Sequence, residues 1–355
     1  MKHPLSITVA EYLENPARFS CVLDARTPAE FALDHLPSAQ NAPVLTDAQR
    51  VTIGTLDKQA SSFEAKRQGA ALVSRNIADL LGTPAFQQPR DWAPLVYCWR
   101  GGNRSGSLAH ILRKIGWASA QLEGGYKAFR SQVIADLETL PQTLRFQVVA
   151  GPTGVGKTHL LKSLAQQGAQ VLCLETLAQH RGSLLGAMAA PQPSQKAFET
   201  QLWHALRHFD AALPVFVESE SAKVGNLRVP ETLLGAVRAS PCLNLVATAA
   251  QRVALLCAEY QHFFNGAAEL NRKLTVLTPT YGKEKIEGWH AAVNAQAWPA
   301  LVEDLLSTHY DPAYHRSLQR NFSHIGTAPS YELSGTAPTD FDALAQRVLQ
   351  SSHAQ

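Results

Sequence analysis

The chain has 355 residues, 45% hydrophobic and 17% charged, with a formal net charge of +3. This length exceeds one ordinary core and predicts two domains of roughly 100–200 residues each. The composition excludes a disordered chain, and the weakly basic balance permits a polyanionic partner without requiring one.

No apolar run reaches the roughly 20 residues of a membrane span, and Glu11 and Glu14 interrupt the opening residues where a signal peptide would be apolar. Five scattered cysteines without a C-x-x-C pair speak against disulfides and against a cysteine zinc site. A cytoplasmic location, free thiols and no membrane contact are expected.

In chain order, CVLDA at 21–25 predicts a strand. Thr27-Pro28-Ala29-Glu30 then supplies a cap, a proline at the first helical position and a glutamate three residues after the cap, the signature of a helix start. The basic stretch 50–77 reads as a helical insertion. LVY at 95–97 predicts a buried strand, and Leu108, Ile111, Leu112 and Ile115 have helical spacing, closed by Gly116. After Gly124-Gly125 another helix leads to Pro141, which marks a boundary.

The second half predicts strands at 146–150, 171–174, 214–218 and 243–247, alternating with helices from Lys157, around 194–209 and over 251–260. That alternation predicts a parallel sheet covered by helices, and the last ninety or so residues read as mainly helical. The expected class is α/β, with domains at 1–138 and 139–355.

Two loops carry chemistry. In VYCWRGGNRSGS at 96–107, Cys98 ends an apolar strand and precedes a helix. Backbone N–H groups and the helix dipole converge at such a place, which lowers thiol pKa values. Trp99, Arg100, Gly101, Gly102, Asn103 and Arg104 would form an oxyanion cradle, the glycines letting successive N–H groups turn inward. The other four cysteines lack such a loop.

In the second loop, Gly151, Thr153, Gly154, Gly156, Lys157 and Thr158 lie in GPTGVGKT, which satisfies G-x-x-x-x-G-K-[ST] between a predicted strand and helix. Backbone N–H groups would surround a diphosphate, Lys157 would neutralise it, and Thr158 could reach a magnesium ion. Glu218, ending PVFVE, is the expected acidic partner, with Glu220 as substitute. No residue cluster has the spacing of a dedicated protein metal site, and no paired-aspartate prenyl motif occurs, so a prenyl diphosphate would have to use this loop. A nucleotide stays open.

The segments Asp24–Phe31, His35–Ala39, the Cys98 loop and Leu122–Arg130 resemble the successive motifs of a rhodanese domain over about residues 5–135. The spacing from Cys98 to Arg104 is C-x5-R, one residue longer than the common sulfurtransferase loop, which leaves a rhodanese-like phosphatase or sulfurtransferase fused to an ATPase open. Joined to this P-loop half, the whole chain resembles the tRNA 2-selenouridine synthase family. The resemblance is carried further by Lys58-Gln59, Tyr97–Gly102, Leu177–Ser183, Glu218–Ser221 and Gly225; at Ala222-Lys223 the family more often has a basic residue directly after the serine.

The resemblance implies that wobble 2-thiouridine is S-geranylated with geranyl diphosphate, and that selenium from selenophosphate then replaces the geranylthio group. Cys98, with Arg100 and Arg104, would carry selenium. The implied partners are tRNA with wobble 2-thiouridine and an enzyme that supplies selenophosphate. Burying ten prenyl carbons is worth at most about 8 kcal/mol, so an apolar groove is expected beside the phosphate loop; Leu184, Leu185 and Val224 are candidates. For tRNA, Tyr310, Tyr314, Arg316 and Arg320 mix aromatic rings with charge. Lys58, Lys66, Arg67, Arg75, Arg272, Lys273, Lys283 and Lys285 could extend that track.

Overall fold

The computed structural model describes residues 6–188, 190–261 and 266–352. They form two compact units: Met1–Leu137 together with Pro193–His204, and Glu138–Gln192 together with Ala205–Gln355.

In the first unit, strands β1 (Ser6–Ile7), β2 (Cys21–Asp24), β3 (Gln40–Asn41), β4 (Pro94–Tyr97) and β5 (Ala120–Leu122) make one sheet in the order β1-β5-β4-β2-β3. Every pairing in it is parallel. The apolar runs read from the sequence are its centre: Leu23, Val96, Leu108 and Leu112 share a core with Val73, Ile77 and Trp92. The expected single helical insertion is two helices, Asp47–Gln59 and Ser62–Leu81. The break falls where Ala60 closes one helix and Ser61 caps the next, accepting a hydrogen bond from the Glu64 N–H at 3.2 Å.

Pro141 does not end its helix. The helix Gly125–Thr143 runs through it, because a proline in the last turn removes one hydrogen bond and leaves the earlier turns intact. Segment 193–204 joins the first unit through buried polar contacts. Asp34, 2% exposed, accepts from Tyr126 Oη at 2.7 Å and from Thr200 Oγ1 at 3.0 Å. Arg130 pairs with Glu199.

The second unit is built on β6 (Arg145–Ala150), β7 (Gln170–Leu172), β8 (Pro214–Glu218), a hairpin of β9 (Lys223–Val224) and β10 (Leu227–Arg228), β11 (Cys242–Val246) and β12 (Ser330–Glu332). The main sheet is parallel, in the order β12-β11-β6-β8-β7. Strand β12 extends the sheet from a stretch expected to be helical. Because β8 and β11 lie on opposite sides of β6, the order of strand addition switches sides at β6, the place where a crevice opens beyond the carboxyl ends of the strands. A separate helical cluster, with Leu270, Leu274, Trp289, Val293, Leu301 and Leu305 in its core, forms most of the remainder. Among the described residues no helix is long and apolar enough to cross a membrane.

Candidate functional site

The Cys98 loop connects β4 to the helix Asn103–Ile115. Cys98 is 3% exposed, and its Sγ accepts a hydrogen bond from Ser105 Oγ at 3.1 Å. Gly102 caps that helix without a side-chain hydrogen bond to its first-turn N–H groups. The loop packs tightly against Gly125, whose φ is +55° and whose added Cβ would lie 2.2 Å from the Cys98 carbonyl oxygen. No other residue type fits there. Trp99 lies over Tyr126 at 5.3 Å, and Gln121 Nε2 donates to the carbonyls of Gly101 and Gly102 at 2.7 and 3.1 Å.

Arg100 is exposed on this loop. Arg104, expected to serve the anion, is instead held by Glu30, with contacts of 2.5 and 3.2 Å. The guanidinium spans from its helix to the Thr27–Glu30 cap, and it pulls the Glu30 carboxyl below its ordinary range against the upward effect of burial.

The phosphate loop follows β6 and leads into the helix Lys157–Gln166. Gly156 has φ +89°, and a Cβ there would meet the Phe341 ring at 2.6 Å. Lys157 Nζ is folded back onto the carbonyls of Gly151 at 2.7 Å and Pro152 at 3.5 Å. Thr158 Oγ1 donates to Glu175 Oε2 at 2.7 Å, and the Glu175 N–H donates to Glu218 Oε1 at 2.8 Å.

Glu218 does end β8 beside the loop, and it is 1% exposed. Its other oxygen has no hydrogen-bond partner among the described residues. Burial, and then the nearby Glu175, push its pKa up to about 7. Glu220 rises for the same reasons, burial first, with Lys157 opposing. Glu175 escaped the sequence reading because nothing in LETLA marks it; the fold alone brings it to Thr158.

The residues assigned to one tRNA-binding stretch separate into two groups. Tyr314 Oη accepts from the Gly151 N–H at 2.7 Å and lies 3.0 Å from Ser219 Oγ, with Lys157 Nζ 5.4 Å from the ring centre. Tyr310 lines the same cleft. Both rings are half-buried at the cleft wall. Arg316 and Arg320 are exposed on the helix Asp311–Asn321. Arg67 and Lys285, two candidates for the extended track, carry ion pairs to Glu64 and Asp304.

Arg252 was also missed. Only 8% exposed, it donates from Nε to the Thr153 carbonyl at 2.9 Å and pairs with Asp311 at 2.6 Å.

The phosphate-loop cleft has a volume of about 370 Å³ and is bordered by Lys157, Thr158, Glu175, Arg181 and Leu184. A second, almost wholly apolar recess adjoins it, bounded farther in by Leu185, Leu270, Trp298, Leu301, Val302 and Leu305. Thr153, Ser183, Leu256, Tyr260 and Tyr310 border both cavities. Leu184 and Leu185 are thus at these cavities, whereas Val224 is fully buried in its hairpin and lines neither.

Two family models match this chain: a rhodanese-like domain over residues 8–132, and the tRNA 2-selenouridine synthase AAA domain over residues 144–278. A tRNA 2-selenouridine synthase of Hydrogenovibrio crunogenus is 30% identical over 359 residues, covering 93% of this chain and 95% of the relative. The chain belongs to the tRNA 2-selenouridine synthase family. A synthase of the same name from Hahella chejuensis is 33% identical, covering 86% of this chain and 87% of its own. The match to one from Marinobacter nauticus, at 36% identity, spans 67% of this chain and 65% of that relative. The two loops described above thus belong to the two domains of a family of enzymes, one loop in each.

Proposed function

We propose that this tRNA 2-selenouridine synthase family member converts wobble 2-thiouridine of tRNA to 2-selenouridine in two steps. In the first, the thio-sulfur attacks the allylic carbon of geranyl diphosphate and diphosphate leaves. In the second, the Cys98 thiolate attacks the phosphorus of selenophosphate and breaks the P–Se bond; the released hydroselenide attacks C2 of the base and expels geranylthiolate, while water hydrolyses the Cys98 phosphorothioate to phosphate. Alkylation turns a poor leaving group into a better one.

One observation carries the first step: the cleft at the phosphate loop lies against an apolar recess with which it shares five lining residues. A nucleoside would find few polar partners in that recess, whereas a prenyl tail needs none. Lys157 would leave the Gly151 and Pro152 carbonyls for the diphosphate. Thr158, Glu175 and Glu218 offer hard oxygen donors that fit magnesium, which when bound would neutralise charge on the diphosphate. At Cys98, the helix N-terminus would receive the phosphate portion of selenophosphate, with Arg100 adding charge.

The test uses purified protein, tRNA bearing wobble 2-thiouridine, geranyl diphosphate and selenophosphate, with nucleosides read by mass spectrometry. Wild type should yield 2-selenouridine, and Cys98→Ala should accumulate the S-geranyl nucleoside. Lys157→Ala should lose geranylation at least tenfold, because a buried charge-assisted contact is worth about 1.5–3 kcal/mol, yet still add selenium to pre-geranylated tRNA. Selenouridine formation by Cys98→Ala at the wild-type rate would remove that residue from the mechanism.

A further inference from the structure

We infer that the apolar recess limits the length of the prenyl tail, with Trp298 and Leu185 setting the limit; this rests on the prenyl-transfer reading above. The recess volume is about 60 Å³. One water-sized group needs at least about 10–15 Å³, so this space takes at most a few. An isoprene unit has five carbons.

The diphosphate end is fixed at Lys157 and Thr158, and the residues common to both cavities, Tyr260 and Tyr310 among them, mark the mouth. The first isoprene unit of a bound chain therefore occupies the mouth. The second enters the recess, and a longer chain would press on its walls.

The walls differ in how far they can yield. Leu270, Leu301 and Leu305 are 3–5% exposed and belong to the core of the helical cluster, so enlarging the recess on their side means repacking that core. Trp298 and Leu185 are only half-buried and pack against that core from outside. Leu185 lies in a turn pinned by hydrogen bonds from the Arg181 N–H to the Gly186 carbonyl at 2.8 Å and from the Gly186 N–H to the Ser183 carbonyl at 2.9 Å. Its position is thus set by backbone, and a larger side chain there would project into the recess. Removing the Trp298 indole would open room for several further carbons.

The full-length protein is assayed with dimethylallyl, geranyl and farnesyl diphosphates for S-prenylation of 2-thiouridine tRNA, and inorganic pyrophosphate binding is measured in parallel. Trp298→Ala should raise the farnesyl-to-geranyl rate ratio at least tenfold, with pyrophosphate affinity within twofold of wild type. Leu185→Phe should do the reverse, cutting geranyl use at least tenfold while dimethylallyl transfer persists. Should Trp298→Ala fail to fold, Leu185→Phe decides alone. If wild type transfers geranyl but neither folded variant changes the length ratio, the recess does not measure the tail and the prenyl-transfer reading stands. If wild type transfers no prenyl group and binds geranyl diphosphate no better than pyrophosphate, both proposals fall.

Discussion

Glu218 shows how one buried side chain links the phosphate site to stability. Its folded pKa, about 7, lies above the ordinary value of 4.5, so between those limits the native state holds a proton that the unfolded chain has released. Stability therefore falls as pH rises from about 4.5 to about 7, and the loss is complete above that range. Glu218→Gln copies the protonated form and removes the effect. Relative to wild type, it should gain on the order of 1–3 kcal/mol at pH 8 and little at pH 5. Chemical denaturation at the two pH values measures this, and an equal difference at both would show that Glu218 does not titrate in this window. The same residue marks a limit of sequence reading. Its place at the end of an apolar strand was legible, but its partnership with Glu175 was not, since the ends of two strands far apart in sequence must come side by side before they meet.

At the scale of elements, the strand–glycine loop–helix pattern was legible at both sites because apolar runs, glycines and helix caps are local signals. What escaped was non-local. Strand β12, Ser-Tyr-Glu, is an exposed edge with no apolar face of its own, and pairing with β11 alone makes it a strand. Within the stretch 309–322, charge and aromatics separate by helical phase, which a count of residue types does not show. Residues 314 and 318 lie one turn apart on the inward side, as do 316 and 320 on the outward side, so Leu318 is buried while both arginines are exposed. This helix is tied to the phosphate loop by Arg252, between the Thr153 carbonyl and Asp311. Arg252→Met should cost about 2–3 kcal/mol, because a charged hydrogen-bond donor is lost and two acceptors are stranded. It should also weaken inorganic pyrophosphate binding, as Tyr314 loses its hold on the Gly151 N–H. Asp311→Asn, which keeps an acceptor, should lose less on both counts. Unchanged pyrophosphate affinity in a folded Arg252→Met protein would show that the helix does not position the loop.

For the molecule as a whole, a net charge of +3 is too small for bulk electrostatics to hold a tRNA, so affinity has to come from local clusters. Many of the basic residues have nearby carboxylates: Lys285 with Asp304, Arg67 with Glu64, Lys273 and Arg272 with Glu269. A cation that must first leave a carboxylate contributes less to a new phosphate contact. Arg316 and Arg320 are exposed one turn apart on the outward face of a helix whose inward face borders the phosphate-loop cleft, so a strand bound there would be held beside that cleft. Each phosphate they neutralise contributes about −0.7 to −0.9 to the slope of log K against log salt. Replacing both with alanine should make the slope for tRNA binding shallower by roughly 1.5–2, and inorganic pyrophosphate affinity should hold because neither side chain lines the cleft. Arg67→Ala, removing an already paired charge in the first unit, should change the slope by less than either arginine of the helix. If the double variant keeps both the wild-type slope and affinity, the outward face of 311–321 carries no RNA, and the insertion helices Asp47–Gln59 and Ser62–Leu81 become the next surface to neutralise.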